Sequence, residues 1–161
     1  MENKDIPEIF RYTRPEVPKD CICTISPSQI EKFFNFPKIW YNECYLGNEP
    51  EFKGNTSSTI GTIAHYIYKC VTENIPITKE IINEQLIKYL EINPNPDINI
   101  SEVMSTYPLV VNEVVNSYVI PHNKTGVRIK CEQPIVAKVM DGIYIRGTYD
   151  RLEGTVLCDY K

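Results

Sequence analysis

Two carboxylates and a lysine near the end of the sequence have the types and spacing needed for metal chemistry. Residues 147–161 predict a β-hairpin, because Gly154-Thr155 has the Gly-X form of a two-residue type II′ turn between strand-like segments. Counting outward from this turn places Asp150 opposite Asp159, with Lys161 on the same face as Asp159. Facing carboxylates repel each other. Mg²⁺ or the Lys161 ammonium would offset that repulsion, and the alternative interpretation is an ordinary solvated strand face.

A histidine in a predicted helix is a third candidate ligand. Apolar periodicity predicts this helix from about Ser58 to Asn74, with Gly61, His65 and Tyr68 along one flank. A glycine inside a helix costs about 1 kcal/mol relative to alanine, so Gly61 indicates close approach by another group. His65, one turn away, is placed to contact that same group, and the alternative is a structural histidine.

Further helices are predicted on both sides of this one. Ser26-Pro27-Ser28-Gln29 predicts a helix start, with Ser26 as the N-cap and Gln29 completing a capping box. Thr78 is expected to cap a helix that runs through Ile92. A fourth helical region begins at Ser101, and we expect Pro108 to kink or restart it.

Apolar side chains are concentrated after the first helix start. The residues concerned are Ile30, Phe33 and Phe34 in the helix and Trp40, Tyr41 and Tyr45 in a second short helical piece. The first three have the spacing of a buried helix face. For the last three, core packing is the favoured interpretation, and a base-stacking platform is the alternative.

Period-2 alternation begins at Val127 and predicts strands. Pro134 interrupts the first strand, which implies an edge position or a bulge. Asp141-Gly142 then predicts a two-residue hairpin turn. With the hairpin at 147–161, the result is a three-stranded antiparallel meander preceded by helices, an α+β arrangement.

The register of the predicted meander decides which side chain lies beside Asp150. Counting outward from the second turn places Gln133 opposite Asp150. A bulge at Pro134 would exchange Gln133 for Glu132. Otherwise we expect Glu132 to pair with Arg151.

Composition narrows the class of protein. The chain has 161 residues, of which 42% are hydrophobic and 24% charged, as in a single globular domain. We predict a proline-rich extended arm at 1–24 and one domain at 25–161.

The sequence has no apolar run of about 18 residues and no secretory signal, so we expect a cytoplasmic protein that does not enter membranes. The net charge of −4 argues against a broad basic surface for duplex DNA.

Because we expect an intracellular protein, we expect the six cysteines to be reduced thiols. They contain no C-x-x-C pair. A thiol-bound metal or an iron–sulfur cluster is a weakly supported alternative, because the spacing of the cysteines does not match the usual ligand patterns.

Four motifs, in this order, resemble the PD-(D/E)XK nuclease superfamily and specifically its RecB-like exonuclease branch. They are Ser26-Pro27-Ser28-Gln29-Ile30…Phe33 with Pro37, then Gly61-Thr62-Ile63-Ala64-His65, then Gly147-Thr148-Tyr149-Asp150, and then Asp159-Tyr160-Lys161. The resemblance covers roughly residues 25–161.

The resemblance implies a restriction-endonuclease-like α/β core and hydrolysis of DNA phosphodiester bonds with Mg²⁺ or Mn²⁺. By analogy, His65, Asp150, Asp159 and the Tyr160 carbonyl would bind the metal. Asp150, Asp159 and Lys161 would be the catalytic residues, with Lys161 activating water and stabilising the transition state. The implied partner is DNA, and the implied role is an exonuclease in recombination, repair or phage DNA processing.

The sequence departs from this family in two places. Phe36 stands where iron–sulfur members have a cysteine, so no cluster is expected. The family core also continues beyond the lysine of the last motif, with a helix, a strand and a Gln-x-x-x-Tyr helix, so the domain resembles one truncated after Lys161. Three interpretations stay open: a longer nuclease, completion by a second chain, or an inactive DNA-binding or protein-interaction module.

Overall fold

The computed structural model describes residues 5–11, 15–49, 53–116 and 129–158. The protein is mixed helix and sheet, which confirms the coarse α+β class. It divides into two compact units. Of the described residues, unit 1 contains 5–11, 54–116, 129–132 and 150–158, and unit 2 contains 15–49, 53 and 133–149.

Three helices form most of unit 1. They are α3 (Thr56–Thr72), α4 (Lys79–Ile92) and α5 (Ile100–Val114). A short 3₁₀ turn, Glu8–Phe10, adds buried Ile9 to the core from within the predicted arm. The core cluster consists of Ile9, Ile63, Ile67, Ile82, Leu86, Val103, Met104 and Val114. Apolar residues at helical spacing thus build a hydrophobic core as the sequence predicts.

Local signals set the bounds of these helices. The Thr78 hydroxyl accepts a hydrogen bond from the Ile81 N–H at 3.3 Å and caps α4 as predicted. Helix α5 passes through Pro108 without ending, so the predicted restart does not occur. Packing of Val103 and Val114 on either side of the proline holds both halves in one helix.

Unit 2 contains α1 (Pro27–Asn35), α2 (Pro37–Trp40) and a π-helical turn, Tyr41–Tyr45. The capping box predicted at the start of α1 is present. The Ser26 hydroxyl accepts from the Gln29 N–H, and the Gln29 side chain accepts from the Ser26 N–H. The N-cap and the proline at the first helical position are local features, which explains why sequence alone located this start.

The prediction that these helices bury their aromatic residues is wrong except for Trp40, which is partly buried and packs edge-on against Phe33 with ring centroids 5.0 Å apart. Helix α1 has no buried residue, and Phe34 is 75% exposed. Tyr41 and Tyr45 are also more than half exposed, and their rings stack on each other with centroids 5.1 Å apart. Helical spacing creates an apolar face but does not provide an element to cover it.

The sheet has four strands: β1 (Cys23–Ile25), β2 (Ile129–Met140), β3 (Ile143–Glu153) and β4 (Val156–Cys158). Strand β2 pairs with β3 at the end of the order β1-β3-β2, which agrees with the edge position predicted from Pro134. The predicted antiparallel meander was incomplete, because β1 pairs with β3 in parallel, Cys23 opposite Ile143. A three-residue strand is too short for its alternation to be recognised from sequence.

The predicted register of the last hairpin is confirmed where it is described. Arg151 lies opposite Cys158, and Glu153 lies opposite Val156 across the Gly154-Thr155 turn. Gly154 has φ of 57°, as the first central residue of a type II′ turn requires. Asp159, Tyr160 and Lys161 lie outside the described residues.

Among the helices that the structure describes, none combines the length and the apolar character needed to cross a membrane.

Candidate functional site

Helix α3 carries His65 on its partly exposed flank. Asn55 caps the helix, because its side-chain oxygen accepts a hydrogen bond from the Ser58 N–H at 2.9 Å. Ile63 and Ile67 fix the rotation of the helix by packing into the core of unit 1. His65 lies between these positions in sequence and points away from the core, with 37% of its side chain exposed.

Three side chains from different elements of unit 1 meet at His65. Its Nδ1 lies 3.0 Å from Glu132 Oε1, on β2, and 3.6 Å from Asp150 Oδ1, on β3. The two carboxylates are 25% and 17% exposed, so the cluster is partly buried but open to solvent. One ligand atom from each of the three residues lies within 4.8 Å of the others.

These donors fit a divalent cation. Carboxylate oxygens are typical ligands of Mg²⁺ and Mn²⁺, whereas an imidazole nitrogen is a more usual ligand of Zn²⁺ or Fe²⁺. In an octahedral shell with bonds of about 2.1 Å, neighbouring ligand atoms lie roughly 3 Å apart. The distance of 3.0 Å between His65 and Glu132 matches such a pair. In the described part of the chain, this is the only group of three His, Cys, Asp or Glu side chains that comes so close together.

Glu132 is the member of this cluster that sequence analysis misplaced. It was expected to pair with Arg151, whereas the Arg151 guanidinium pairs with Glu153 and Glu132 contacts His65. The backbone provides the reason, because Glu132 has φ of 50° and interrupts the regular alternation of β2. The position of Pro134 was the available signal, since it indicated that a bulge could replace Gln133 by Glu132.

The structure brings together only part of the predicted ligand set. His65 and Asp150, from two separate motifs, are adjacent. Asp159, Tyr160 and Lys161 cannot be placed, because they lie outside the described residues. Apart from its chain neighbours and the nearby backbone of its own helix, no described atom lies within 4 Å of a Cβ built on Gly61, so the close approach expected there does not come from the described residues. Tyr68 packs against the core of unit 1.

A second polar cluster, in unit 2, has a structural character. The Tyr144 hydroxyl donates to both carboxylate oxygens of Asp20, at 2.8 and 2.9 Å. This hydrogen bond lowers the pKa of Asp20 and raises that of Tyr144. Lys138 lies 3.0 Å from Asp141, and this contact raises the pKa of the ammonium. The Asp20 carboxylate therefore has a hydroxyl partner, and the Asp141 carboxylate has an ammonium partner.

Comparisons of the chain with models of known protein families, with curated proteins and with solved structures find no match. The function is therefore inferred from the motifs and from the geometry of the cluster formed by His65, Glu132 and Asp150.

Proposed function

We propose that this protein is a metal-dependent deoxyribonuclease of the RecB-like exonuclease type, with a restriction-endonuclease-like core. One observation carries the proposal: His65 and Asp150, from two motifs far apart in the sequence, lie 3.6 Å apart. A second carboxylate, Glu132, completes a set of three donors. DNA is the proposed substrate, and a role in recombination, repair or phage DNA processing follows from the same resemblance.

The residues of the cluster have defined tasks in this proposal. Asp150, Glu132 and His65 would hold Mg²⁺ or Mn²⁺, which when bound supplies a nucleophilic hydroxide and a positive charge beside the phosphate. The two carboxylates keep the ion at a fixed position, and their partial burial strengthens its attraction to an anionic substrate.

The residues of the fourth motif complete the proposed set, and they are assigned from the sequence alone. Asp159 and the Tyr160 carbonyl are proposed as additional ligands. Lys161 is proposed to orient the attacking water and stabilise the charge that develops on the phosphate.

Titration calorimetry with Mn²⁺ tests the metal site. We expect the wild-type chain to bind Mn²⁺, and Asp150→Asn to weaken binding at least tenfold, because the substitution removes an anionic ligand but keeps the shape of the side chain. Asp141→Asn is the matched control, since Asp141 is a fully exposed acid outside the cluster. Equal affinities of Asp150→Asn and the wild type would disprove the site.

Cleavage of end-labelled linear DNA in Mg²⁺ tests the activity. We expect release of nucleotides by the wild type and loss of release in both Asp150→Asn and Lys161→Ala. Metal binding without any cleavage by the wild type would contradict the enzymatic part of the proposal.

A second candidate function is a nuclease-derived binding module without activity, which recognises DNA or another protein. The exposed aromatic side chains of α1 and the π-helical turn favour it, since a monomeric protein rarely exposes such a group. They include Phe33, Phe34, Phe36, Tyr41 and Tyr45. Mg²⁺-dependent cleavage that Lys161→Ala abolishes would exclude this candidate.

A further inference from the structure

Glu132 has a backbone conformation that is unusual for its residue type. Its φ is 50°, although it lies inside strand β2. Among the described residues other than glycine, the one other positive φ belongs to Asn74, which follows helix α3. Asparagine adopts the left-handed region readily at such positions, whereas glutamate does so rarely, because its Cβ crowds the following carbonyl oxygen.

A left-handed residue inside a strand interrupts the regular alternation of side chains. In a regular strand, Cys131 and Glu132 would point to opposite faces. Cys131 is completely buried, and an uninterrupted ladder counted outward from the Asp141-Gly142 turn would place Gln133 opposite Asp150. Instead, the Glu132 carboxylate reaches to within 3.0 Å of His65 Nδ1.

We propose that the left-handed backbone of Glu132 is a positioning device for the metal site. This backbone conformation places the Glu132 carboxylate beside His65 and Asp150, where a regular strand would place the amide of Gln133. The strained conformation lowers the free energy of unfolding. The inference rests on the proposed function for its ligand, a divalent cation.

Two physical points support a functional origin for this strain. A left-handed glutamate lowers stability, and glycine at the same position would not carry that cost. The strained residue also brings a second carboxylate to His65 Nδ1, which lies 3.6 Å from Asp150 Oδ1. The strain opposes folding, whereas the contact between Glu132 and His65 favours the arrangement. The dependence of stability on a cation therefore distinguishes a metal site from a structural ion pair.

Substitution by alanine and by glycine at positions 132 and 133 separates the effect of backbone strain on stability from the effect of losing the side chain. Glu132→Ala and Glu132→Gly both remove the carboxylate, and only the alanine keeps the Cβ that strains the backbone. Gln133→Ala and Gln133→Gly are the matched controls, since Gln133 has no positive φ. Urea unfolding without metal gives the folded-to-unfolded ratio of each variant.

We expect opposite orders at the two positions. At 132, the glycine variant should have a ratio roughly two- to tenfold higher than the alanine variant. At 133, the glycine variant should have a ratio about two- to fivefold lower, because glycine weakens an ordinary strand. The same order at both positions would overturn the inference.

Metal-dependent stabilisation shows whether the strain serves the site. Mn²⁺ should raise the urea midpoint of the wild type, and neither Glu132 variant should retain more than a small part of this rise. Glu132→Asp should retain a measurable part, since aspartate keeps the charge and tolerates a left-handed backbone. A full rise in Glu132→Gly would refute the positioning role.

The outcomes distinguish the inference from the proposed function. If Mn²⁺ does not stabilise the wild type, the proposed metal site fails, and the inference fails with it. If Mn²⁺ stabilises the wild type but the glycine and alanine orders agree at 132 and 133, only the inference fails.

Discussion

Each residue of the cluster satisfies a different physical requirement. His65 lies on a helix flank that the core leaves exposed, and Asp150 lies on a strand whose last three residues are paired to β4. Glu132 completes the group through a strained backbone. An ion that binds the folded cluster and not the unfolded chain should stabilise the protein by mass action.

Gly61 and Gly142 differ in what an added methyl group would meet. Gly61 lies inside α3, without a positive φ and with no atom within 4 Å of a built Cβ. We expect Gly61→Ala to raise the free energy of unfolding by about 1 kcal/mol, because alanine favours the helix.

Gly142 has φ of 73°, and a Cβ there would lie 2.6 Å from Ile22 Cδ1. Gly142→Ala should therefore destabilise by roughly 1–2 kcal/mol.

Urea unfolding of these two alanine variants, compared with the wild type, measures both changes. Destabilisation by Gly61→Ala would show that another group occupies the space beside the helix. An unchanged Gly142→Ala variant would contradict the left-handed turn.

The Cys70 thiol gives the protein a pH dependence on the alkaline side. Burial raises the pKa of Cys70 in the folded protein above its ordinary value. As the pH rises above about 8.5, the unfolded chain ionises this thiol first, so stability is complete at lower pH and decreases with rising pH. We expect Cys70→Ala, although less stable, to lose less free energy between pH 8 and 10 than the wild type.

Unfolding by urea at a series of pH values checks this difference in slope. Cys23→Ala is the matched control, because it removes a thiol that is exposed rather than buried. A slope for Cys70→Ala that is as steep as the wild type's would contradict the effect of burial.

Helix α3 connects the core of unit 1 to the candidate site. Its inner face contributes Ile63 and Ile67 to the core, and its flank presents His65. The N-cap Asn55 belongs to the same helix as His65 but not to the cluster, so a change at Asn55 would affect the site through the stability of the helix. The N-cap is therefore a suitable place to test this connection.

Replacement of Asn55 by alanine should lower the free energy of unfolding by about 1 kcal/mol. The substitution removes the acceptor for the Ser58 N–H and leaves that donor without its side-chain partner. Asn55→Asp keeps an acceptor and adds a negative charge at the N-terminus of the helix, so it should be at least as stable as the wild type. Thermal unfolding of the three proteins measures the difference, and equal stability of Asn55→Ala and wild type would contradict the cap.

On the scale of the molecule, the two units differ in how they use apolar residues. Unit 1 contains the continuous core, including completely buried Leu86. In unit 2, helix α1 leaves Phe34 three-quarters exposed. Global stability should therefore depend on large side chains of unit 1 much more than on the aromatic residues of α1.

Truncation of one large side chain in each unit tests this distribution. Leu86→Ala should cost about 2–5 kcal/mol, because it opens a cavity in a packed core. Phe34→Ala should change stability by less than about 0.5 kcal/mol, as expected for an exposed position. Urea unfolding followed by circular dichroism measures both values. A large loss in Phe34→Ala would mean that its ring is covered in solution.

Local interactions account for what the sequence determined by itself. The helix starts at Ser26 and Thr78 and the turn at Gly154-Thr155 depend on hydrogen bonds and dihedral angles within a few residues. The mixed helix-and-sheet class and the position of His65 on a helix flank follow from periodicity, which is also a local property.

Only the tertiary structure decided the rest. The parallel pairing of Cys23–Ile25 and the exposure of Phe34 depend on partners distant in sequence. The entry of Glu132 into the cluster depends on a contact with His65, which is distant in sequence, and on a left-handed backbone angle inside β2. The surrounding tertiary structure holds such a strained angle in place. The types of the neighbouring residues therefore do not predict it.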